Sequence, residues 1–241
     1  MTTLLIATHN AHKAVEIRAI LGAQFQLLTL KDFPAALPVV EDAETFVGNA
    51  LKKADTLANW LAAAPLNAQL QTLNFVLADD SGLEVDTLHG APGVHSARFA
   101  ALDRSAKHCS ASSYENSPDA DNNAKLLRLL KDVPLENRTA RFRCVLALVR
   151  VPEKKVEAAS PVCFADEFPA QIFDGACAGV IRPSASGAKG FGYDPLFVPD
   201  GFTQTFAELG DDVKNKISHR AKALEKLKQF FGDNTDKFAG L

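Results

Sequence analysis

The chain has 241 residues, 47% of them hydrophobic and 23% charged, with 26 basic and 29 acidic side chains. That apolar fraction can bury a sizeable core, and the length allows one large domain or two lobes that share a core. The formal net charge of −3 argues against a protein that coats a nucleic acid, because it leaves no broad positive face. A small anionic ligand is still compatible, since it needs only a few local cations.

The sequence predicts neither a membrane-spanning segment nor an export signal. No window approaches the roughly 20 apolar residues of a membrane-spanning helix. The opening apolar run stops at Ala7 and has no basic segment before it. The four cysteines lie far apart and show no zinc-ligand spacing. Reduced thiols in a cytoplasmic protein are therefore expected.

The first elements are typical of an α/β unit. Residues 4–7 form a short apolar run, which predicts a buried strand, and the apolar positions of residues 11–21 share one helical face. Asn10 is the expected N-cap of this helix, and Gly22 is its stop. A second helix is predicted from the capping residue Thr45 to about residue 63. Its buried stripe consists of Phe46, Ala50, Ala54, Leu57 and Leu61.

Further strands and a closing helix follow along the chain. Residues 75–78 predict a buried strand that stops at a polar turn, and residues 141–149 predict a longer one. Residues 104–121 are rich in Ser, Ala and Asp and predict a mobile surface loop before the next helix. The closing amphipathic helix is marked by Leu224, Leu227, Phe230 and Phe231.

Two polar clusters follow the predicted strands. In residues 8–13, Lys13 is either a solvated side chain or one of two positive groups, with the helix N-terminus, that face a phosphate. By the helix-dipole argument, its removal is expected to cost the empty protein nothing. Asp79 and Asp80 either cap a turn with Gly82 or bring a carboxylate to a strand end. A carboxylate placed there can hold Mg²⁺ or take a proton from water.

Two more clusters lie in the carboxyl-terminal half. Residues 187–194 contain three glycines, which allow close backbone approach, and Phe191 and Tyr193 offer flat faces for stacking a base. Residues 214–220 are expected immediately before the last helix. Ser218 is the candidate N-cap there, and the crowding of Lys, His and Arg at a helix N-terminus favours a bound anion.

The clusters lie in a set of ordered motifs. These motifs are ATHNAHK (7–13), TFVGNALKKA (45–54), ADDSGLEVD (78–86), GAPGVHSAR (90–98), GFGYDPLF (190–197) and KNKISHRAKAL (214–224). The chain therefore resembles the inosine triphosphate pyrophosphatase family, whose members act on non-canonical purine nucleoside triphosphates. The resemblance covers essentially the whole chain, apart from residues 104–121 and residues 152–175.

The resemblance implies a fold and an activity. The expected fold is a single α/β domain over residues 1–241, elongated and two-lobed around a long mixed β-sheet with flanking helices. The active site is expected in the cleft between the lobes, and the protein is expected to be a cytoplasmic homodimer without nucleic-acid or membrane partners. The implied reaction is Mg²⁺-dependent hydrolysis of ITP, dITP and XTP to the monophosphate and pyrophosphate.

The resemblance also implies roles for individual residues. Asp80 is the expected catalytic base and a metal ligand. Glu41 is the other expected metal ligand, with Asp42 and Glu44 as alternatives. The expected substrate contacts are Thr8, His9, Asn10, Ala11, His12, Lys13, Lys53, Ser81, Phe191, Gly192, Tyr193, Asp194, Lys214, His219 and Arg220.

The implied mechanism is attack of water on the α-phosphorus, with cations neutralising the triphosphate. The sequence leaves open whether Asp80 acts as a base or mainly as a metal ligand. Two alternatives also stay open: a pyrophosphatase for pyrimidine or other modified nucleotides, and a non-catalytic nucleotide-binding protein. The non-catalytic alternative predicts a lost catalytic carboxylate, whereas Asp79 and Asp80 are both present.

Overall fold

The computed structural model describes residues 1–36, 38–63, 73–105, 116–152 and 168–235. The strands are β1 (Thr3–Ile6), β2 (Gln26–Thr29), β3 (Phe75–Val85), β4 (Thr139–Arg150), β5 (Gln171–Ile181) and β6 (Phe197–Pro199). The helices are α1 (Ala11–Leu21), α2 (Phe46–Ala63), α3 (Leu102–Ser105), α4 (Asp119–Leu129), α5 (Phe206–Leu209), α6 (Asp211–Ile217) and α7 (His219–Asp233). The predicted α/β class is confirmed. Over these described ranges, no helix is long and apolar enough to cross a membrane.

The strands form one six-stranded sheet in the order β2-β1-β3-β4-β5-β6. β1 pairs in parallel with both β2 and β3, and β5 pairs antiparallel with β6, so the sheet is mixed, as the resemblance implied. A parallel neighbour requires a crossover connection, which α1 provides between β1 and β2. The first helix therefore begins directly after the end of a central strand.

The two amino-terminal helices begin where the sequence predicts. The Asn10 side-chain oxygen accepts hydrogen bonds from the backbone N–H groups of His12 and Lys13, at 2.9 and 3.1 Å. The Thr45 hydroxyl oxygen accepts from the Gly48 N–H at 3.1 Å in the first turn of α2. Every member of the predicted apolar stripe of α2 is buried. Capping and periodicity thus fix both helices.

Strand β3 is longer than the apolar run that predicted it. The expected stop at Asp79 is wrong, because the strand continues through the acidic pair to Val85. The backbone stays extended because Leu83 and Val85 are fully buried in a second apolar cluster. Strand β1 ends at Ile6, which pairs with Leu77, so the acidic pair lies beyond the end of this neighbour. The Asp79 carboxylate is therefore placed beside the end of β1 and not at the end of its own strand.

The predicted loop 104–121 is shorter than expected at both ends. Residues 106–115 lie outside the described residues, whereas 104–105 belong to α3 and 119–121 to α4. The buried Asn122 side chain explains the order around α4, since its oxygen accepts from the Ala100 N–H at 2.8 Å and its amide donates to the Ala97 carbonyl at 3.2 Å. Composition alone could not reveal these contacts.

The basic cluster at 214–220 also differs from expectation. Lys214 and Lys216 lie in a separate helix, α6, and only His219 and Arg220 belong to the first turn of α7. Ser218 joins the two helices, and its hydroxyl oxygen accepts from the Ala221 N–H at 3.1 Å. The predicted N-cap role of Ser218 is therefore confirmed, and it terminates one helix as it begins the next.

The chain divides into two compact units. The first comprises Met1–Asp79, Val145–Phe173 and Leu224–Leu241, and the second comprises Asp80–Cys144 and Asp174–Ala223. In the first unit, the rings of Phe75 and Phe231 lie 5.6 Å apart within a core that includes the fully buried β1. In the second unit, the rings of Phe142 and Phe197 lie 4.7 Å apart. Asp79 and Asp80 are consecutive residues but belong to different units.

One test of the packing between β5 and α7 is Gly175→Ala. An added methyl group would lie 2.1 Å from the His219 carbonyl oxygen and 2.7 Å from the Ala223 nitrogen, both backbone atoms. We expect the free energy of unfolding to fall by about 1–3 kcal/mol, the usual cost of overpacking. Gly232→Ala in the same helix meets no atom within 4 Å and is the matched control. Urea denaturation should show no loss for this control, and equal losses for both variants would contradict the packing argument.

Candidate active site

The first charged set lies in the first unit and is built on Asp79. The Asp79 carboxylate is 0% exposed and forms a salt bridge of 2.6 Å with the Lys13 ammonium group, whose side chain is 15% exposed. The backbone explains this contact, because the Ala7 N–H donates to the Leu77 carbonyl at 2.8 Å and keeps the end of β1 beside β3. The solvated-lysine interpretation of Lys13 is therefore wrong.

The turn between β1 and α1 carries the other residues of the predicted triphosphate loop. The Thr8 hydroxyl oxygen accepts from the Asn10 N–H at 3.1 Å, which closes the turn. His9, Asn10, Ala11 and His12 are exposed. An exposed helix N-terminus is a favourable place for an anion, since the first N–H groups and the helix dipole both face it.

Lys53 connects this set to the segment before α2. Its ammonium group donates to the Asp79 carbonyl at 2.8 Å and lies 3.1 Å from a carboxylate oxygen of Glu41. The segment is held by Asn49, whose side-chain oxygen accepts from the Ala43 N–H at 2.9 Å. Asn49 was not singled out from the sequence. The available signal was a polar residue on the buried face of α2, because such a residue usually has a specific hydrogen-bond partner.

The carboxylates around Glu41 differ in their surroundings. Asp42 pairs with Lys52 at 2.5 Å on the surface, and this hydrogen bond lowers the pKa of Asp42. Glu44 is exposed. Glu41 alone of these three has a contact, through Lys53, to the Asp79 backbone in the structure described. This arrangement favours Glu41 among the candidate metal ligands.

The second charged set lies in the second unit, around Phe191. The carboxylate of Asp194 and the ammonium group of Lys214 are 2.5 Å apart, and both side chains are only 2% exposed. The same carboxylate oxygen accepts from the Phe191 N–H at 2.9 Å, and the ammonium group lies 4.5 Å from the centre of the Phe191 ring. Gly190 permits this geometry, since a Cβ there would lie 2.2 Å from the carboxylate.

Arg220 links Phe191 to strand β3 within the second unit. Its guanidinium group donates to the Ser81 hydroxyl oxygen at 2.8 Å, and its central carbon lies 6.0 Å from the centre of the Phe191 ring. Arg220 is 1% exposed, and Asp80, the residue before Ser81, is 4% exposed. The structure thus brings Ser81, Phe191, Lys214 and Arg220 into one charged set.

Tyr193 and His219 are placed differently from the other predicted substrate contacts. The expectation that the Tyr193 ring stacks on a base is wrong, because it lies in the core of the second unit and its hydroxyl donates to the Ser96 carbonyl at 2.9 Å. Burial raises the pKa of Tyr193 well above its usual range, so the phenol stays neutral. The His219 ring stacks on Phe142, with 4.8 Å between ring centres.

Among the described residues, no group of three or more His, Cys, Asp and Glu side chains is placed to hold a metal ion. A magnesium site is still compatible with this finding, because Mg²⁺ keeps several waters and takes one or two protein carboxylates.

Comparisons with known proteins agree with this fold. The sequence profile of the Ham1 family matches residues 4–230. The dITP/XTP pyrophosphatase of Desulforamulus reducens is 44% identical over 224 residues, covering 92% of each chain. That of Geobacter sulfurreducens is 44% identical over 233 residues, covering 96% of this chain and 98% of the relative. The Staphylococcus aureus Ham1 protein superposes with a TM-score of 0.72 at 29% identity, covering 96% of this chain and 99% of its own.

The protein is thus an α/β protein with a mixed sheet, and charged residues lie beside the end of β1. The chain belongs to the Ham1 family. Relatives named dITP/XTP pyrophosphatase confirm the resemblance drawn from the motifs.

The salt bridge between Lys13 and Asp79 predicts a coupled effect on stability. Lys13→Met leaves the buried Asp79 carboxylate without this ammonium group, so we expect unfolding to become easier by about 1–3 kcal/mol. This replaces the expectation from the helix dipole that Lys13 can be removed at no cost. Lys13→Met combined with Asp79→Asn should recover most of the loss, as measured by urea denaturation. Strictly additive effects would contradict the coupling.

Proposed function

We propose that this chain hydrolyses non-canonical purine nucleoside triphosphates, with dITP, XTP and ITP as substrates, to the monophosphate and pyrophosphate. The observation that carries the proposal is the second charged set, in which a buried cation and a buried guanidinium group both lie near the ring of Phe191. An aromatic face with nearby cations suits a purine base. The names of relatives 44% identical to this chain support the same activity.

The triphosphate is assigned to the first charged set. The α1 N-terminus offers exposed residues at His9 to His12 beside the half-buried Thr8, and Lys13 adds a positive charge there. A bound phosphate competes with the Asp79 carboxylate for the Lys13 ammonium group. The hydrogen bond from Lys13 is charge-assisted with either acceptor. Lys53 contacts Glu41 and the Asp79 backbone. We therefore assign it mainly the role of positioning these two groups, and a phosphate contact only in second place.

The base is assigned to the second charged set. Phe191 provides the stacking face, and Arg220 and Lys214 lie on or near that ring. The Asp194 carboxylate is turned toward Lys214 and the Phe191 backbone. In this proposal the Asp194 carboxylate holds Lys214 and the Phe191 backbone in place. Any contact between Asp194 and the substrate is made through the Asp194 backbone. His219 and Tyr193 are buried, so we assign them a supporting role in the packing of this site and no stacking contact with the base.

Magnesium is the cofactor that we assign, with Glu41 and Asp80 as its protein ligands. The residues present fit this ion, because carboxylate oxygens are the donors that it prefers. In the first unit, oxygens of Glu41 and of the Asp79 backbone already converge on a cation, the Lys53 ammonium group, at 3.1 and 2.8 Å. When bound, Mg²⁺ neutralises phosphate charge and makes bound water more acidic.

The reaction proposed is attack of a water oxygen on the α-phosphorus. The bond to the oxygen that bridges the α- and β-phosphorus breaks, and pyrophosphate leaves with that oxygen. We assign Asp80 to orient the attacking water and accept its proton, because the family resemblance gives it this role and it is a buried carboxylate, 4% exposed, in β3. Lys13 offsets negative charge as it builds up on the phosphates.

We further propose a cytoplasmic homodimer, as the family resemblance implies. Light scattering of the purified protein at micromolar concentration measures the subunit number directly. A mass of twice 25.9 kDa is expected, and the mass of a single chain would overturn this part of the proposal.

The test is a panel of nucleoside triphosphates with Mg²⁺, scored separately for pyrophosphate and orthophosphate. We expect pyrophosphate release with dITP, XTP and ITP and little release with pyrimidine nucleotides. Higher rates with a pyrimidine nucleotide would favour the alternative pyrophosphatase. Tight binding without any release, with or without metal, would favour the non-catalytic alternative. Orthophosphate as the first product would contradict attack on the α-phosphorus.

A further inference from the structure

Two side chains of helix α4 hold the backbone of Gly192, next to the proposed stacking face. The Asp119 carboxylate accepts from the Gly192 N–H at 2.6 Å, and the Asn123 amide donates to the Gly192 carbonyl at 3.0 Å. The two residues are four positions apart, so they lie on one face of the helix. We propose that Asp119 and Asn123, called here the Gly192 pair, are positioning residues that set the affinity for the base without touching the substrate. This inference rests on the proposed function.

The backbone around Phe191 explains why positioning is needed. Gly190 and Gly192, on either side of Phe191, have φ values of +75° and +62°, in a region that favours glycine. Glycine is conformationally permissive, so the direction of the Phe191 side chain depends on what holds the two neighbouring peptide groups. The peptide group before Phe191 is held by Asp194, which accepts from the Phe191 N–H at 2.9 Å.

The Gly192 pair holds the backbone after Phe191. The Gly192 N–H belongs to the peptide group that joins Phe191 to Gly192, so the Asp119 contact fixes the plane of that group. The Asn123 contact fixes the next carbonyl along the chain. With both peptide groups around Phe191 held, the direction of its Cα–Cβ bond is determined. The helix α4 thereby orients the aromatic face from outside the charged set.

This role predicts a particular kinetic signature. Stacking on the base is made in the bound substrate and in the transition state alike, so weakening it raises KM more than it lowers kcat. One lost hydrogen bond typically corresponds to a change of about 3- to 10-fold, and more where the acceptor is charged. The residues assigned to the triphosphate belong to the first unit and are not altered by the change.

The experiment measures KM and kcat for dITP in Asp119→Ala and Asn123→Ala. We expect KM to rise about 3- to 10-fold in each variant, with kcat within about twofold of the parent. Asp119→Asn retains a side-chain oxygen that can accept from Gly192 and should restore most of the affinity. Asp119 is exposed, so the Asp119 variants are expected to fold like the parent. Asp132→Asn, an exposed carboxylate after α4, is the charge-matched control.

A second arm separates positioning from a merely structural role. In a Phe191→Ala background, Asn123→Ala should leave KM unchanged, because the ring that it positions is absent. An undiminished rise in KM in that background, or unchanged KM in both alanine variants, would overturn the inference while the parent still hydrolyses dITP. A parent without dITP hydrolysis would overturn the proposed function, and this inference with it.

Discussion

Asp80→Asn is expected to lower the turnover of dITP by at least ~10²-fold, the low end of the contribution of a positioned acid–base group. The substitution keeps the shape of a side chain that is 4% exposed in β3, so the fold should stay intact. Asparagine cannot accept the proton of the attacking water, and it is a poorer ligand for a divalent cation. Steady-state release of pyrophosphate measures the effect, and circular dichroism checks the fold.

The matched control for this substitution is Asp86→Asn. Asp86 follows β3, and its carboxylate accepts from the Thr139 hydroxyl at 2.7 Å and pairs with Arg141 on the surface. These contacts lower the pKa of Asp86, with the Thr139 hydrogen bond as the largest cause. The control removes one carboxylate from the same unit, and its turnover should stay within about twofold of the parent. Turnover of Asp80→Asn within threefold of the parent would refute the assignment.

The comparison of Asp80 with Asp79 depends on the strand that carries them. Because side chains alternate along a strand, the carboxylates of these two consecutive residues are expected to face opposite sides of β3. The structure gives Asp79 a defined partner, since Lys13 lies 2.6 Å away, and it buries Asp80, which is 4% exposed. Asp79→Asn is therefore expected to act through Lys13 and the triphosphate, raising KM more than it lowers kcat.

The sequence was most informative about helix starts and buried helix faces, because these features depend on residues that are close together in the chain. Helix α1 begins at its predicted cap because the Asn10 side chain satisfies the first N–H groups, a contact within three residues of the chain. The stripe of α2 is periodic because one face of a helix is buried. Local periodicity contains this information, so both helices could be predicted.

The length of β3 and the boundaries of the loop before α4 depend on contacts between residues that are far apart in the sequence. The local sequence pattern therefore could not predict them. The strand passes beyond Ala78 because Leu83 and Val85 enter an apolar cluster formed with residues far along the chain. The loop before α4 ends early because Asn122 bonds to backbone groups more than twenty positions away, at Ala97 and Ala100. Composition reports only that such a segment is polar.

The site itself was predictable in part. The motifs singled out Phe191, Lys214 and Arg220 on separate segments, and the structure brings the three together within the second unit. The motifs could not show that the Tyr193 ring is turned into the core, because alternating exposure within a glycine-rich turn has no fixed period. They also could not show that Asp194 faces Lys214, since that pair spans two elements.

The largest difference between substrates is expected for the base. Hypoxanthine and xanthine present a 6-oxo acceptor beside an N1–H donor, whereas adenine presents a 6-amino donor beside a bare N1. Arg220 is a guanidinium donor that is 1% exposed and fixed by Ser81, and a buried donor left unpaired by adenine is costly. Such mismatches discriminate by ~10⁴-fold. We therefore expect kcat/KM for dITP to exceed that for dATP by about this factor.

Guanine provides a finer test of the same pocket. It shares the 6-oxo pattern, so any rejection of dGTP must come from its 2-amino group, and xanthine carries an oxygen at that position. Bulk at C2 therefore cannot explain the choice, and an unmatched N–H donor can. The expected order is ITP and XTP above GTP, with GTP above or equal to ATP, measured as kcat/KM under identical Mg²⁺ concentrations.

Two variants separate recognition of the base edge from stacking. Arg220→Lys retains a cation but loses the planar guanidinium group, so it should lower the rate with dITP and narrow its lead over dATP. Phe191→Ala removes the stacking face, which contacts the plane of the base and not its hydrogen-bonding edge. It should therefore weaken the binding of all purine nucleotides alike and leave the ratio of kcat/KM for dITP to that for dATP unchanged. Thermal unfolding of both variants checks that the fold around the buried pair of Asp194 and Lys214 keeps its stability. Comparable efficiency of the parent on dATP and dITP would overturn this account of the pocket, because a fixed donor to the 6-oxo group cannot serve both bases equally.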